Sequence, residues 1–503
     1  MGNIRFGWAE RKFVFPKPVA LMGQFAERIS EYEEKPLTVT ALAVDNGTEQ
    51  MVLCSTDLLG VFDVLRDGVR QRIADNKLGL KPENVIICAT HIHTGPGYAG
   101  YGVRTITKNL ISQTDILKQN LPAGKKFVER VNISNNDALM SAEDRLEELV
   151  SKIADAALSA WENRAEGAFV NAFGRAPIGQ CRRVSFSDGS AQMWGDTYSA
   201  AFTALEGGND SGIELLYIFD KEDKLTGIVA NLACPAQCVQ HRLFISPDFW
   251  GEAKMLLRKH FGEEIFLLPL CSAAGDQCPA DLVRFVEPES DLNDPNLIRK
   301  DLPKRNAGPS MFDLPGMRKN GKRIANEIID VFEEGLAPKI SDAEFCHLVR
   351  TVHLPIRRAT LQEELQAKAG IRAYMMQKED DADFNDLANL QQFLGPLQRM
   401  VLQQKVDIMD VEMHIARLGN IAIATNPFEL FLDYGNQMKA RSLAEQTFVV
   451  QLACGYEGYL PTEKAEKGGH YSAFHASTWV GHQGGEQLVR ETLAEINKLF
   501  RED

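Results

Sequence analysis

Two histidines one residue apart stand where an apolar run stops, in Asn84-Val-Ile-Ile-Cys-Ala-Thr-His91-Ile-His93-Thr-Gly-Pro-Gly97. Val85 to Ala89 read as a buried strand, and the Gly/Pro turn ends it where the imidazoles begin. A strand end of this kind presents both rings together at a loop. Neutral imidazole is the commonest protein metal ligand and a general base near pH 7, so the pair suits metal-assisted hydrolysis. Histidines bonded to loop carbonyls would give the same short pattern, so the motif needs support from elsewhere in the chain.

That support comes from a positional regularity. Strand 226–231 leads to Cys234-Pro-Ala-Gln237, and strand 265–270 leads to Ala274-Gly-Asp276-Gln277. Strand 421–425 leads to Asn426-Pro-Phe-Glu429, and strand 447–453 to Gly455-Tyr456-Glu-Gly-Tyr459. Polar, chemically capable residues thus follow the carboxyl ends of strands, where α/β sheets gather their binding loops. One shared site is the expectation.

Strand-like and helical runs alternate along most of the chain, which predicts an α/β fold with a large mixed sheet core and flanking helices. Met51 to Cys54 read as a strand, Val61 to Ala74 as a helix, and Ser141 as the start of a helix with Leu146, Leu149, Val150, Ile153 and Ala157 on one buried face. A long covering loop is expected near 279–316, where prolines 279, 288, 295, 303, 309 and 315 fall. The Gln-rich segment 357–405 predicts a helical hairpin broken near Gly395-Pro396.

Composition narrows the function classes. The chain has 503 residues, 44% of them hydrophobic and 25% charged, the balance of a soluble globular protein large enough for one very large domain or several. A net charge of −14 argues against nucleic acid as a partner and against attraction to anionic membranes. No secretory signal and no long apolar run is present, so a cytoplasmic location without stable membrane association is expected. The nine cysteines lie mostly in apolar runs and read as reduced thiols; oligomeric state is left open.

The motifs together resemble the neutral/alkaline non-lysosomal ceramidase family, zinc amidases with a Thr-His-x-His-(Ser/Thr)-(Ala/Gly)-Pro-Gly signature. Thr90-His91-Ile-His93-Thr94-Gly-Pro-Gly97 matches it. The resemblance spans most of the chain and implies a single catalytic domain over 1–503, with insertions near 279–316 and 357–405 and without the family's carboxy-terminal immunoglobulin-like domain. It implies a zinc ion held by His91, by Glu429 in Pro427-Phe-Glu429-Leu, and by Tyr459 in Tyr456-Glu-Gly-Tyr459-Leu-Pro-Thr462. His93 would be the general base. Tyr471, twelve residues after Tyr459, would donate to the scissile carbonyl oxygen, and Arg175 in Phe173-Gly174-Arg175-Ala-Pro177 would steady an oxyanion or a carboxylate.

One departure stands out. The family's second histidine ligand lies in an Asn-Phe-x-x-His-Pro strand end, whereas this chain has Asn231-Leu-Ala-Cys234-Pro235-Ala-Gln237. Cys234, Gln237 or His241 could replace it, or metal binding could be altered. The resulting expectation is a zinc-dependent amidohydrolase acting on a small soluble substrate in place of ceramide. The alternatives are a sugar or cyclitol substrate in the same pocket, or a metabolite-binding pseudoenzyme that has lost zinc.

Overall fold

The computed structural model describes residues 2–98, 111–129, 136–283 and 312–501. Strict alternation of apolar side chains builds its core. Met51 and Leu53 point to one face of their strand and Val52 and Cys54 to the other; Ile86 and Cys88 alternate with Val85, Ile87 and Ala89 in the same way. Both faces of these strands are therefore buried.

Eight strands form the larger sheet, in the order Phe266–Cys271, Leu225–Leu232, Gly212–Asp220, Ala165–Arg175, Arg5–Lys12, Thr38–Asp45, Gln50–Thr56 and Val85–Ala89. Only its two outermost pairs are parallel. A second sheet orders Phe345–Pro355, Ile408–Leu418, Ile421–Thr425 and Gln446–Val450, the last pair parallel. One apolar cluster joins the sheets face to face, with Phe6, Trp8, Leu42, Leu53 and Leu270 meeting Ala416, Ile421, Ile423, Phe448 and Val450. Helices such as Ala142–Glu162, Phe249–Phe261 and Asp313–Glu333 cover the outer face of the larger sheet. Leu432–Arg441 and His482–Phe500 cover that of the smaller. The result is the expected α/β architecture of mixed sheet and flanking helices, layered helix, sheet, sheet, helix.

Local chemistry sets the boundaries. The Ser141 side chain accepts from the Asp144 amide and starts Ala142–Glu162 as its sequence predicts. The helical hairpin is present as Leu361–Gln377 and Phe384–Leu402, but its break lies at 378–383, because Asp383 caps the second helix in a box with Asp386. That helix runs on through Gly395 and Pro396. Gly395 serves a close approach there, since a Cβ would lie 2.3 Å from the Ala476 nitrogen. Of the proline-rich loop, residues 284–311 lie outside the described residues. No helix among the described residues is long and apolar enough to cross a membrane, and all nine cysteines are free thiols.

Strand ends of the two sheets are tied together by buried hydrogen bonds. Cys454 N donates to Ile87 O at 2.8 Å, Gln451 N to Cys271 O at 3.0 Å, and Gly275 N to Leu430 O at 2.7 Å. The Gln451 carboxamide is the knot, because its Oε1 accepts from Ala274 N and from Leu430 N, each at 3.0 Å. Leaving two buried amides unpaired costs about 1–3 kcal/mol each. Gln451→Met, similar in volume but without the acceptor, is expected to lower stability by about 2–5 kcal/mol, read as a shifted denaturant midpoint; an unchanged midpoint would show that the knot is dispensable.

Candidate active site

The loop after Val85–Ala89 turns sharply, with His91 at φ 61°, a left-handed conformation that is uncommon for a side-chain-bearing residue and clusters at functional sites. Its Nδ1 donates to Leu59 O at 2.6 Å. This bond engages Nδ1 and orients Nε2 toward the neighbouring carboxylate. Facing Nε2 at 3.3 Å is Oε2 of Glu429, a carboxylate only 3% exposed.

Glu429 and Tyr459 are neighbours because Glu429–Leu430 pairs in parallel with Tyr459–Leu460. Glu429 Oε1 accepts from the Tyr456 hydroxyl at 2.8 Å. Burial pushes its acidity toward the neutral acid, but the His91 imidazole and then the Arg182 guanidinium and Tyr459 phenol outweigh it, and the carboxyl titrates below its usual range. Burial, reinforced by that carboxylate, keeps the Tyr459 phenol protonated well beyond its ordinary range.

Two acceptors, an imidazole lone pair and a carboxylate oxygen, cannot face each other in a buried site without a proton or a cation between them. Two ligands of a tetrahedral ion lie about 3.4 Å apart, close to the His91 to Glu429 separation. One imidazole nitrogen, a carboxylate and a phenol oxygen are all donors a divalent cation accepts. The residues present therefore fit such an ion.

His93 stands beside this group, its ring edge-on to that of His91 at 5.0 Å. Gly23, at φ 109°, is pressed against it so closely that a Cβ would lie 2.7 Å from the ring. Arg28 fixes the backbone by donating to His93 O at 2.6 Å, and Gln24 Nε2 approaches Nδ1 at 3.5 Å. Nε2 is buried without a hydrogen-bond partner among the described residues. Burial, followed by the nearby His91 and Arg28, pushes the ring far toward its neutral form.

Tyr471 completes the cluster, its hydroxyl 3.4 Å from that of Tyr459 and the two rings edge to face. Arg183 holds the Tyr471 loop by donating to Tyr471 O at 2.9 Å and Gly469 O at 2.8 Å while paired with Glu206.

Arg175 is not brought to this group. It lies at the exposed end of Ala165–Arg175, near Ser211 Oγ at 3.5 Å and over the Phe173 ring at 5.0 Å. The buried cation beside the tyrosines is Arg182, which donates to Tyr459 Oη at 3.3 Å and to Gly275 O at 3.1 Å. Its sequence signal was slight: two adjacent arginines in Cys181-Arg182-Arg183-Val184, with Arg182 between the short strands Gln180–Cys181 and Arg183–Phe186.

Near the missing histidine, the Cys234 thiol donates to Pro235 O at 3.4 Å, and burial keeps it protonated. His241 pairs with Asp313 at 3.4 Å and stacks on Phe312. Gln237 is fully buried, and neither its Oε1 nor its Nε2 has a protein partner. Asp248 caps Phe249–Phe261 by accepting from Phe249 N. His470, His475 and His482 are bound to Met193 N, Arg358 O and Glu466 respectively.

A second possible metal group, unnoticed in the sequence, brings ligand atoms of Glu412, His414 and Cys454 within 4.8 Å of one another. Its carboxylate is already neutralised by Arg70, which donates to both oxygens at 2.8 and 2.6 Å and reaches Cys454 Sγ at 3.7 Å. His414 is also engaged, with Glu412 at 2.7 Å and His347 at 3.0 Å. A cation would have to displace the guanidinium.

No family model and no curated protein matches the chain. Solved structures do. A ceramidase complexed with C2 is 14% identical, with 99% of this chain and 76% of that chain covered at a TM-score of 0.67. Neutral ceramidase from Pseudomonas aeruginosa is 16% identical, with 99% and 75% covered at a TM-score of 0.66. The strand ends that carry His91, Glu429 and Tyr459 thus belong to a chain with the fold of the neutral ceramidases.

Proposed function

We propose that this protein is a metal-dependent hydrolase that cleaves an amide-type bond in a small polar substrate. The observation that carries the reading is the buried confrontation of His91 Nε2 and Glu429 Oε2 at 3.3 Å, a pair that a proton or a cation must bridge and whose spacing suits two ligands of one ion. The ceramidase names of the fold neighbours support amide cleavage as the reaction class.

His91, Glu429 and Tyr459 would hold the ion, which when bound supplies an ionisable water and polarises the substrate carbonyl. His93 takes a proton from the attacking water on its unpartnered Nε2 and returns it to the leaving nitrogen as the carbon–nitrogen bond breaks. The Tyr471 phenol donates to the carbonyl oxygen as negative charge develops there, and the Arg182 guanidinium adds a fixed positive charge on the same side as the tyrosines. Arg182 thereby takes the part that the sequence motif gave to Arg175.

A second reading is favoured by one observation. The Cys234 thiol is bonded to Pro235 O and His241 is held 3.4 Å from Asp313, so both are engaged away from the site and a metal-free metabolite binder with the same pocket is the rival.

Metal quantification on the purified protein separates the two. The hydrolase is expected to carry near-stoichiometric divalent metal that His91→Ala loses; a metal-free wild type, or a His91→Ala protein with unchanged content, would reject the assignment. A screen of short- and long-chain N-acyl compounds should then find turnover of the short, polar ones. In that assay Arg182→Ala should lower kcat/KM by about 100-fold or more while Arg175→Ala leaves it unchanged; the reverse ranking would restore Arg175 to the site.

A further inference from the structure

The described ligand set stops at three residues, and the loop beside it holds an unexplained side chain. Ala236 N donates to Thr90 O at 3.3 Å, so the backbone carrying Gln237 is bonded to the residue before His91. Gln237 is fully buried, and both polar atoms of its carboxamide lack a protein partner. Buried amides are ordinarily satisfied, and a carboxamide with neither end used by protein calls for a bound partner, an ion or a water. Asn231 and Gln277 also bury an oxygen without a partner, but their nitrogens are committed to Val449 O at 3.0 Å and Gly208 O at 3.1 Å. Of the other candidate donors of the Gln237 segment, the Cys234 thiol bonds to Pro235 O, and His241 lies 3.4 Å from Asp313 with its ring stacked on Phe312.

From this juxtaposition we infer that the side-chain oxygen of Gln237 is the fourth protein donor of the cation site, and that it tilts the site from zinc toward harder ions such as manganese. The inference rests on the metal-dependent reading above. Its chemistry follows from the donor types: one imidazole nitrogen with carboxylate, phenol and amide oxygens is an oxygen-rich set, whereas an imidazole in place of the amide would add the nitrogen that favours zinc. Nε2 is then left to donate to an oxygen of the substrate.

The test is calorimetric titration of chelator-stripped protein with Zn2+ and with Mn2+ separately, on wild type, Gln237→Ala, Gln237→His and Cys234→Ser. Gln237→Ala is expected to weaken Mn2+ binding by about tenfold or more. Gln237→His should bind metal again with its preference moved toward Zn2+ relative to wild type, and Cys234→Ser should match wild type. Wild-type affinity in Gln237→Ala, or the loss appearing in Cys234→Ser, overturns the inference while leaving the metal-dependent reading intact. A wild type that takes up neither ion overturns both. If Gln237→Ala does not fold, Gln237→Glu decides: it keeps the oxygen and adds charge, so tighter Mn2+ binding supports the assignment and unchanged or weaker binding rejects it.

Discussion

A carboxylate buried to 3% exposure is the constraint around which this molecule is arranged. Glu429 can remain ionised there only if every side of it is answered, because an isolated charge in a protein interior costs several kcal/mol. The answers come from both sheets. His91 sits at the end of an edge strand of the larger sheet, and Tyr456 and Tyr459 follow the parallel pair of the smaller one. The apolar contact between the two sheets is thus what keeps an anion and its partners in register.

The backbone is distorted where those strand ends meet. His91, Leu452 and Cys454 all take left-handed φ values; Leu452 and Cys454 are bonded across the seam to Ala89 and Ile87, and His91 faces Glu429 across it. Such conformations persist only when neighbouring bonds over-determine them. The Gln451 amide, which binds one loop from each sheet, and the Cys454 to Ile87 bond supply that determination. Rigidity at the seam is what lets three residues distant in sequence present their donors toward a common point.

Much of this could be read from residue order. Continuous apolar runs such as Met51 to Cys54 and Val85 to Ala89 mark strands buried on both faces, which calls for layers packed on either side of the sheet. Strand ends followed by histidine, glutamate and tyrosine foretold a shared rim, and the structure brings His91, His93, Glu429, Tyr459 and Tyr471 to one place. What the residues alone did not disclose depends on tertiary partners. Arg182 falls between two short strands with no motif around it, and the pairing of 180–181 with 277–278, with the bond of its amide to Asp276 O, brings it to the tyrosines. Arg175 had the better motif but ends its strand in solvent. The glycine and proline of the second hairpin helix look like a break, yet the chain keeps its helix because Gly395 is where another backbone presses in.

The central claim, that the opposed lone pair of His91 and oxygen of Glu429 enclose a divalent cation, is tested most directly by anomalous diffraction from crystals of the protein as purified. An anomalous peak between His91 Nε2 and Glu429 Oε2, within bonding distance of Tyr459 Oη, is the predicted result. A featureless map at that point, or a peak only beside Glu412, His414 and Cys454, would contradict it.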